Sequence, residues 1–193
     1  LFNIDVQSSG PKDETAVLRV FAKMFYHYLG FYGEDLKVAK LEQFIEKQGK
    51  TAEFRRVFEA KNGASWLSSR DSFAFFEDDV VSALTQVLGM SESAAENWFN
   101  GTHTVDISIA KLVSEIKEYA DAKPQDFRLL FMIDEVGQYV GDDRSLLLNL
   151  QSLVETIGAE CKGKVWVVCT GQEAIDEVIK TRENEFSRIQ ARF

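Results

Sequence analysis

Two adjacent carboxylates stand at the end of an apolar run, Arg128-Leu129-Leu130-Phe131-Met132-Ile133-Asp134-Glu135. Five apolar residues without polar alternation suit a strand covered on both faces, as in a parallel sheet packed between helices. A charge inside such a strand is costly. Asp134 and Glu135 are therefore expected at its carboxyl end, the edge where open α/β sheets bind ligands. There one carboxylate can hold Mg²⁺ through its water shell, and its neighbour can orient and polarise a water. The plainer reading of the same octet is a buried strand followed by an acidic turn.

An apolar strand ending in Asp-Glu is the Walker B pattern of P-loop ATPases. A second apolar run, Lys164-Val165-Trp166-Val167-Val168-Cys169-Thr170-Gly171, follows after a stretch with Leu146, Leu150, Leu153 and Ile157 at helical spacing. Strand, helix and strand make a βαβ unit with neighbouring parallel strands, so Thr170 is expected on the same edge as Asp134. In a nucleotide hydrolase a polar group there contacts the lytic water and the γ-phosphate, the sensor 1 role. Gln172 lies just beyond, as a cofactor-binding candidate beside Asp134. Arg188 and Arg192 follow one helix later, where an Arg at a subunit face can neutralise charge on a neighbour's phosphate. Either Arg alone is more often a solvated helix charge. The expected catalytic set is Asp134, Glu135, Thr170, Arg188 and Arg192, with ATP and Mg²⁺ as cofactors and Asp134 as the metal's carboxylate.

The elements that must hold this set follow from periodicity. Residues 1–6 read as a short strand, broken by Ser8-Ser9-Gly10-Pro11. Val17, Val20, Phe21, Met24, Tyr28 and Leu29 then mark a helix to about residue 31. No strand signal appears over about 36–122. Helices are expected around Leu36–Ile45, around Phe54–Phe58, from Phe73 to Leu88, after a Ser91 cap, and after an Asp106 cap. Gly137 and Gly141-Asp142-Asp143 read as a loop, and Gly158 to Gly163 as the release from the Leu146–Ile157 helix. Helices are also expected over Gln172–Lys180 and about 183–192. The predicted fold is α/β: a partial P-loop NTPase (AAA+-like) with a parallel three-stranded sheet. Residues 1–35 and 106–193 form the core, and 36–105 a large helical insertion. Its aromatic residues read as core, from their helical spacing.

At 193 residues with 45% hydrophobic and 27% charged content, the chain can bury a real core. Its formal net charge of −9 argues against duplex binding, which needs clustered Lys and Arg. Cys161 and Cys169 lack zinc-ligand spacing, and Cys169 reads as a reduced core thiol. His27, among Phe25, Tyr26 and Tyr28, reads as a satisfied structural histidine, and His103 is isolated. No apolar run approaches the about 20 residues of a membrane span, and no secretory signal opens the chain. A cytoplasmic setting is expected. The start at Leu1 without Met and the stop at Arg192-Phe193 suggest an internal piece of a larger protein.

Four stretches carry a resemblance: Leu1-Phe2-Asn3-Ile4-Asp5, Phe131-Met132-Ile133-Asp134-Glu135-Val136-Gly137-Gln138-Tyr139-Val140, Val165 to Glu173, and Arg188-Ile189-Gln190-Ala191-Arg192-Phe193. Together they resemble the large P-loop ATPases of bacteriophage-exclusion (BREX) systems, the BrxC/PglY type. The resemblance implies an AAA+-type ATPase of a multiprotein antiphage defence complex, with other complex subunits as partners and a homo-oligomer admitted. Asp134 and Glu135 would be Walker B, and Thr170 near sensor 1. No GxxxxGK[ST] loop occurs, so Walker A would lie upstream of Leu1 and the helical lid downstream of Phe193. The piece alone is then expected to be inactive. The alternatives are a regulatory nucleotide switch and a non-enzymatic helical interaction or scaffolding module.

Overall fold

A computed structural model of the protein describes residues 2–3, 13, 15–101, 107–141 and 143–170. These divide into two compact units, one drawn from residues 1–24 and 107–193 and the other from 25–106. The first division falls inside helix α1 (Ala16–Tyr28), earlier than the expected start of the insertion at 36.

The first unit is built on a sheet of β1 (Phe2–Asn3), β2 (Leu129–Asp134) and β3 (Val165–Cys169), in the order β1-β2-β3. Both pairings are parallel, with β2 in the centre. The chain is thus α/β, mostly helical with a small parallel sheet, as the βαβ pattern predicts. The described part of the first strand is shorter than the expected 1–6, whose remainder lies outside the described residues.

Helices α7 (Ile109–Asp121) and α9 (Arg144–Cys161) belong to this unit. Ser108 caps α7, its hydroxyl accepting from Lys111 N, while the expected cap Asp106 lies outside the described residues. In α9, Leu146, Leu150, Leu153 and Ile157 are buried as their spacing predicts, with Leu147 and Cys161 added. Asp143 caps its start by accepting from Ser145 N at 2.8 Å and Leu146 N at 3.2 Å. The helix runs through Gly158 and stops only at Lys162 (φ 47°) and Gly163 (φ 77°), two left-handed residues in succession.

The two-sided burial expected of β2 is not found. Leu129, Phe131 and Ile133 are buried with Val165 and Val167, and Phe131 packs its ring 5.2 Å from Phe21 of α1. Leu130 and Trp166 on the other face are 51% and 56% exposed, and Met132 and Val168 are partly so. Among the described residues nothing covers this second face. Sequence hydrophobicity reports what a strand can bury, whereas the helices packed on it decide what it does bury.

The second unit is helical: the last turn of α1, then α2 (Leu36–Lys47), α3 (Thr51–Asn62), α4 (Trp66–Ser69), a 3-10 segment (Arg70–Phe75), α5 (Glu77–Leu88) and α6 (Glu92–Asn100). Asp35, Ser65 and Ser91 cap α2, α4 and α6 through their side-chain oxygens. Gly63 and Gly89 end α3 and α5 in the left-handed region. The helix expected from Phe73 starts at Glu77 instead, because Ser72 (φ −115°, ψ 21°) and Phe76 (φ −118°, ψ 40°) are not helical. Small polar residues such as Asp71 and Ser72 favour turns over helix interiors. Glu77, Asp78 and Asp79 then suit the positive end of α5. The short α4 was not foreseen.

Trp66 stands edge-on to Phe54 and Phe58 at 5.2 and 5.1 Å between ring centres, and all three are buried. Most aromatics of this stretch pack in or against the core, as their spacing predicts, but Phe44 and Phe75 are exposed. Beside them Glu42 is almost fully buried. Its carboxylate accepts from Tyr32 N at 2.6 Å, Trp66 Nε1 at 2.7 Å and Arg70 Nη1 at 2.9 Å. The Arg70 guanidinium also lies over the Tyr32 ring, 5.2 Å from its centre. His27 departs from expectation: it is exposed and pairs with Glu34 at 3.3 Å.

Removing one partner of a buried ion pair strands the other charge. Glu42→Ala is accordingly expected to cost about 3 kcal/mol, read as a lowered urea midpoint in the transition reported by tryptophan fluorescence. An unchanged midpoint would mean that the carboxylate holds nothing together.

Candidate functional site

The parallel register sets which residues meet at the carboxyl edge of the sheet. Ile133 pairs with Cys169, so Asp134 and Thr170 leave their strands at the same level. Thr170 N donates to Ile133 O at 2.8 Å, one further rung of the ladder. Val136 N donates back to Thr170 O at 3.3 Å. The Thr170 hydroxyl donates directly to Asp134 Oδ1. The other carboxylate oxygen of Asp134 makes no hydrogen bond among the described residues. On the opposite flank the register partner of Asp134 is Asn3, which sequence reading did not single out, although it lies within the Leu1–Asp5 stretch.

Glu135 occupies a sharper position. Its backbone is left-handed at φ 57° and ψ 35°, and it begins the short helix α8 (Val136–Val140). This helix replaces the expected loop at Gly137, and Val136, Tyr139 and Val140 are buried. Tyr139 N donates to Glu135 O at 3.2 Å, and Gly141 N to Gly137 O at 2.9 Å. A non-glycine residue held left-handed costs of order 1 kcal/mol or more. Here it turns the chain abruptly from strand to helix, so that Asp134 and Glu135 follow one another around a corner. Both side chains are partly exposed.

Of the expected set, the structure brings Asp134, Glu135 and Thr170 to one edge. Gln172, Arg188 and Arg192 lie outside the described residues. The arrangement can do limited chemistry. Mg²⁺ keeps most of its waters when one or two carboxylates hold it, and Asp134 with one oxygen unused fits that role. Among the described residues no three His, Cys, Asp or Glu side chains cluster closely enough to hold a metal ion by protein ligands alone. No described loop repeats the glycine-rich pattern that cradles phosphates, so the residues present fit the metal's water shell but not the phosphate chain.

Cys169, next to Thr170, carries a thiol pushed up to about 12 by burial. Burial likewise raises Cys161, with Lys117 pulling in the opposite direction. Both are free thiols, and neither offers a thiolate near neutral pH. Among the described residues no helix is long and apolar enough to cross a membrane.

Glycine adopts the left-handed conformation without the steric cost that Glu135 bears. Glu135→Gly should therefore raise the free energy of unfolding by about 1 kcal/mol, measured by urea denaturation. A loss of stability would mean that the Glu135 side chain contributes more than its backbone costs. No protein-family model matches this chain, and no solved structure matches it.

Proposed function

We propose that this chain is the Walker B and sensor 1 portion of an AAA+-like ATPase, of the kind found in bacterial phage-exclusion complexes. The observation that carries the reading is the hydrogen bond between Thr170 and Asp134 across the ends of two neighbouring parallel strands. A hydroxyl and a carboxylate so joined can share one water layer, the carboxylate orienting metal-bound waters and the hydroxyl a phosphate oxygen. Glu135, one residue on, is the candidate for polarising the attacking water. ATP and Mg²⁺ are the cofactors of this reading, and Arg188 or Arg192 would serve a neighbouring subunit's phosphate. Cytoplasmic partners in a defence complex belong to the same proposal.

A second reading, a non-enzymatic helical interaction module, is favoured by one observation: residues 25–106 possess their own aromatic core and their own buried ion pair. ATP turnover separates the two.

In the whole protein, Glu135→Gln should leave ATP bound and slow hydrolysis by about 10²-fold or more, since it keeps shape while removing the proton-accepting carboxylate. Filter-retained nucleotide together with phosphate release measures both effects. Loss of ATP binding in that variant, or unchanged turnover, would overturn the assignment. Residues 1–193 alone are expected to show no turnover, because backbone N–H groups and a Lys of the phosphate loop supply most of the phosphate affinity. Tight Mg-ATP binding by these residues in calorimetry would place the nucleotide elsewhere.

A further inference from the structure

Alternation along the strands sorts their side chains onto two faces. Leu129, Phe131, Ile133, Val165 and Val167 share the covered face, which carries Phe21 of α1 and helix α9. Leu130, Met132, Trp166 and Val168 share the other, and all four are exposed. Asp134 and Thr170 continue this second set, so an apolar patch runs along two strands into a polar row at the carboxyl edge. Parallel sheets occur almost only with both faces covered. No helix among the described residues covers this one.

The chain passes from Thr170 into residues 171–193, which lie outside the described residues. Their sequence alone predicts a helix over Gln172–Lys180. With 3.6 residues per turn, Ala174, Ile175, Val178 and Ile179 share one side of that helix. Glu173, Asp176, Glu177 and Lys180 share the opposite side, and no charge interrupts the apolar stripe. A helix so short is not stable in water alone, so its stripe must be buried on another surface.

Size, direction and charge all select the open face of the sheet. A helix over Gln172–Lys180 is about 13 Å long and about 10 Å wide. The open face is about 13 Å long from Leu130 to Asp134 and, at two strands, about 10 Å wide. A patch two strands wide is too small for the about 800 Å² per partner of a stable dimer, and it suits one helix. Only Gly171 separates Thr170 from Gln172, so the helix starts at the polar row and runs back along the strands. Its positive end then lies beside Asp134, where a negative charge is favourable. The covered face is already occupied at β3 by α9.

We propose that residues 172–180 form a helix antiparallel to β2 and β3 that covers the open face, with Ile175, Val178 and Ile179 packed on Leu130, Met132, Trp166 and Val168. The cover comes from the same chain, and it holds whether or not the Asp134–Thr170 edge binds nucleotide.

Methyl-resolved NMR of the 193-residue chain tests the proposal. Nuclear Overhauser contacts are expected from the Trp166 ring and the Met132 methyl to the methyls of Ile175, Val178 and Ile179. They should persist on dilution and be absent between chains in a mixture of labelled and unlabelled protein. Ile175→Asp combined with Ile179→Asp, which puts charge into the apolar stripe, should abolish them and move the Trp166 signals to those of an exposed indole. Glu177→Lys, on the opposite side of the helix, should leave them intact. Contacts from Trp166 to another segment, contacts between chains, or no contacts at all would each overturn the proposal. So would contacts that survive the double aspartate variant or vanish in Glu177→Lys.

Discussion

The parallel pairing of β2 with β3 is the constraint on which the rest of the sheet unit depends. Leu129 to Ile133 align residue for residue with Val165 to Cys169. Side chains alternate faces with a period of two, so this register alone decides which residues meet α1 and α9 and which face outward. A slip of one residue would turn Phe131 away from Phe21 and expose the apolar face now covered. The same register carries the polar edge. Thr170 meets Asp134 because Cys169 meets Ile133, and the backbone bond from Thr170 N to Ile133 O extends the ladder one rung past the strands.

The edge is completed by a strained turn. The chain must leave β2 without continuing along the sheet, and Glu135 in the left-handed region makes that bend in one residue. Strained backbone positions cluster at ligand and active sites. The turn also seats Val136, Tyr139 and Val140 in the core, so local strain is offset by burial immediately afterwards.

The helical unit solves a different problem. Its core joins aliphatic side chains to three buried aromatic rings, Phe54, Phe58 and Trp66, with Trp66 edge-on to the two Phe. Trp66 has an N–H that must be satisfied when buried. Glu42 satisfies it and is in turn neutralised by Arg70, which ties α2, α4 and the 3-10 segment into one network.

The sequence by itself determined the parallel α/β core, the position of Asp134 and Glu135 at a strand end, and the meeting of Thr170 with that end. These follow from local periodicity and from the βαβ rule, which both operate over short ranges of chain. It also marked the cap at Ser91, as local hydrogen-bond chemistry allows. Only the tertiary structure decided that one face of β2 is covered and the other is not, because Leu130 and Phe131 are equally apolar and differ only in what packs against them. Only it revealed the Glu42 network, since Tyr32, Trp66 and Arg70 are scattered through the sequence and each is ordinary alone. The left-handed Glu135 was likewise invisible, because nothing in Asp-Glu-Val-Gly demands that the turn fall on the glutamate and not on the glycine two residues later. In each case the deciding energy comes from contacts between distant residues, which local pattern does not encode.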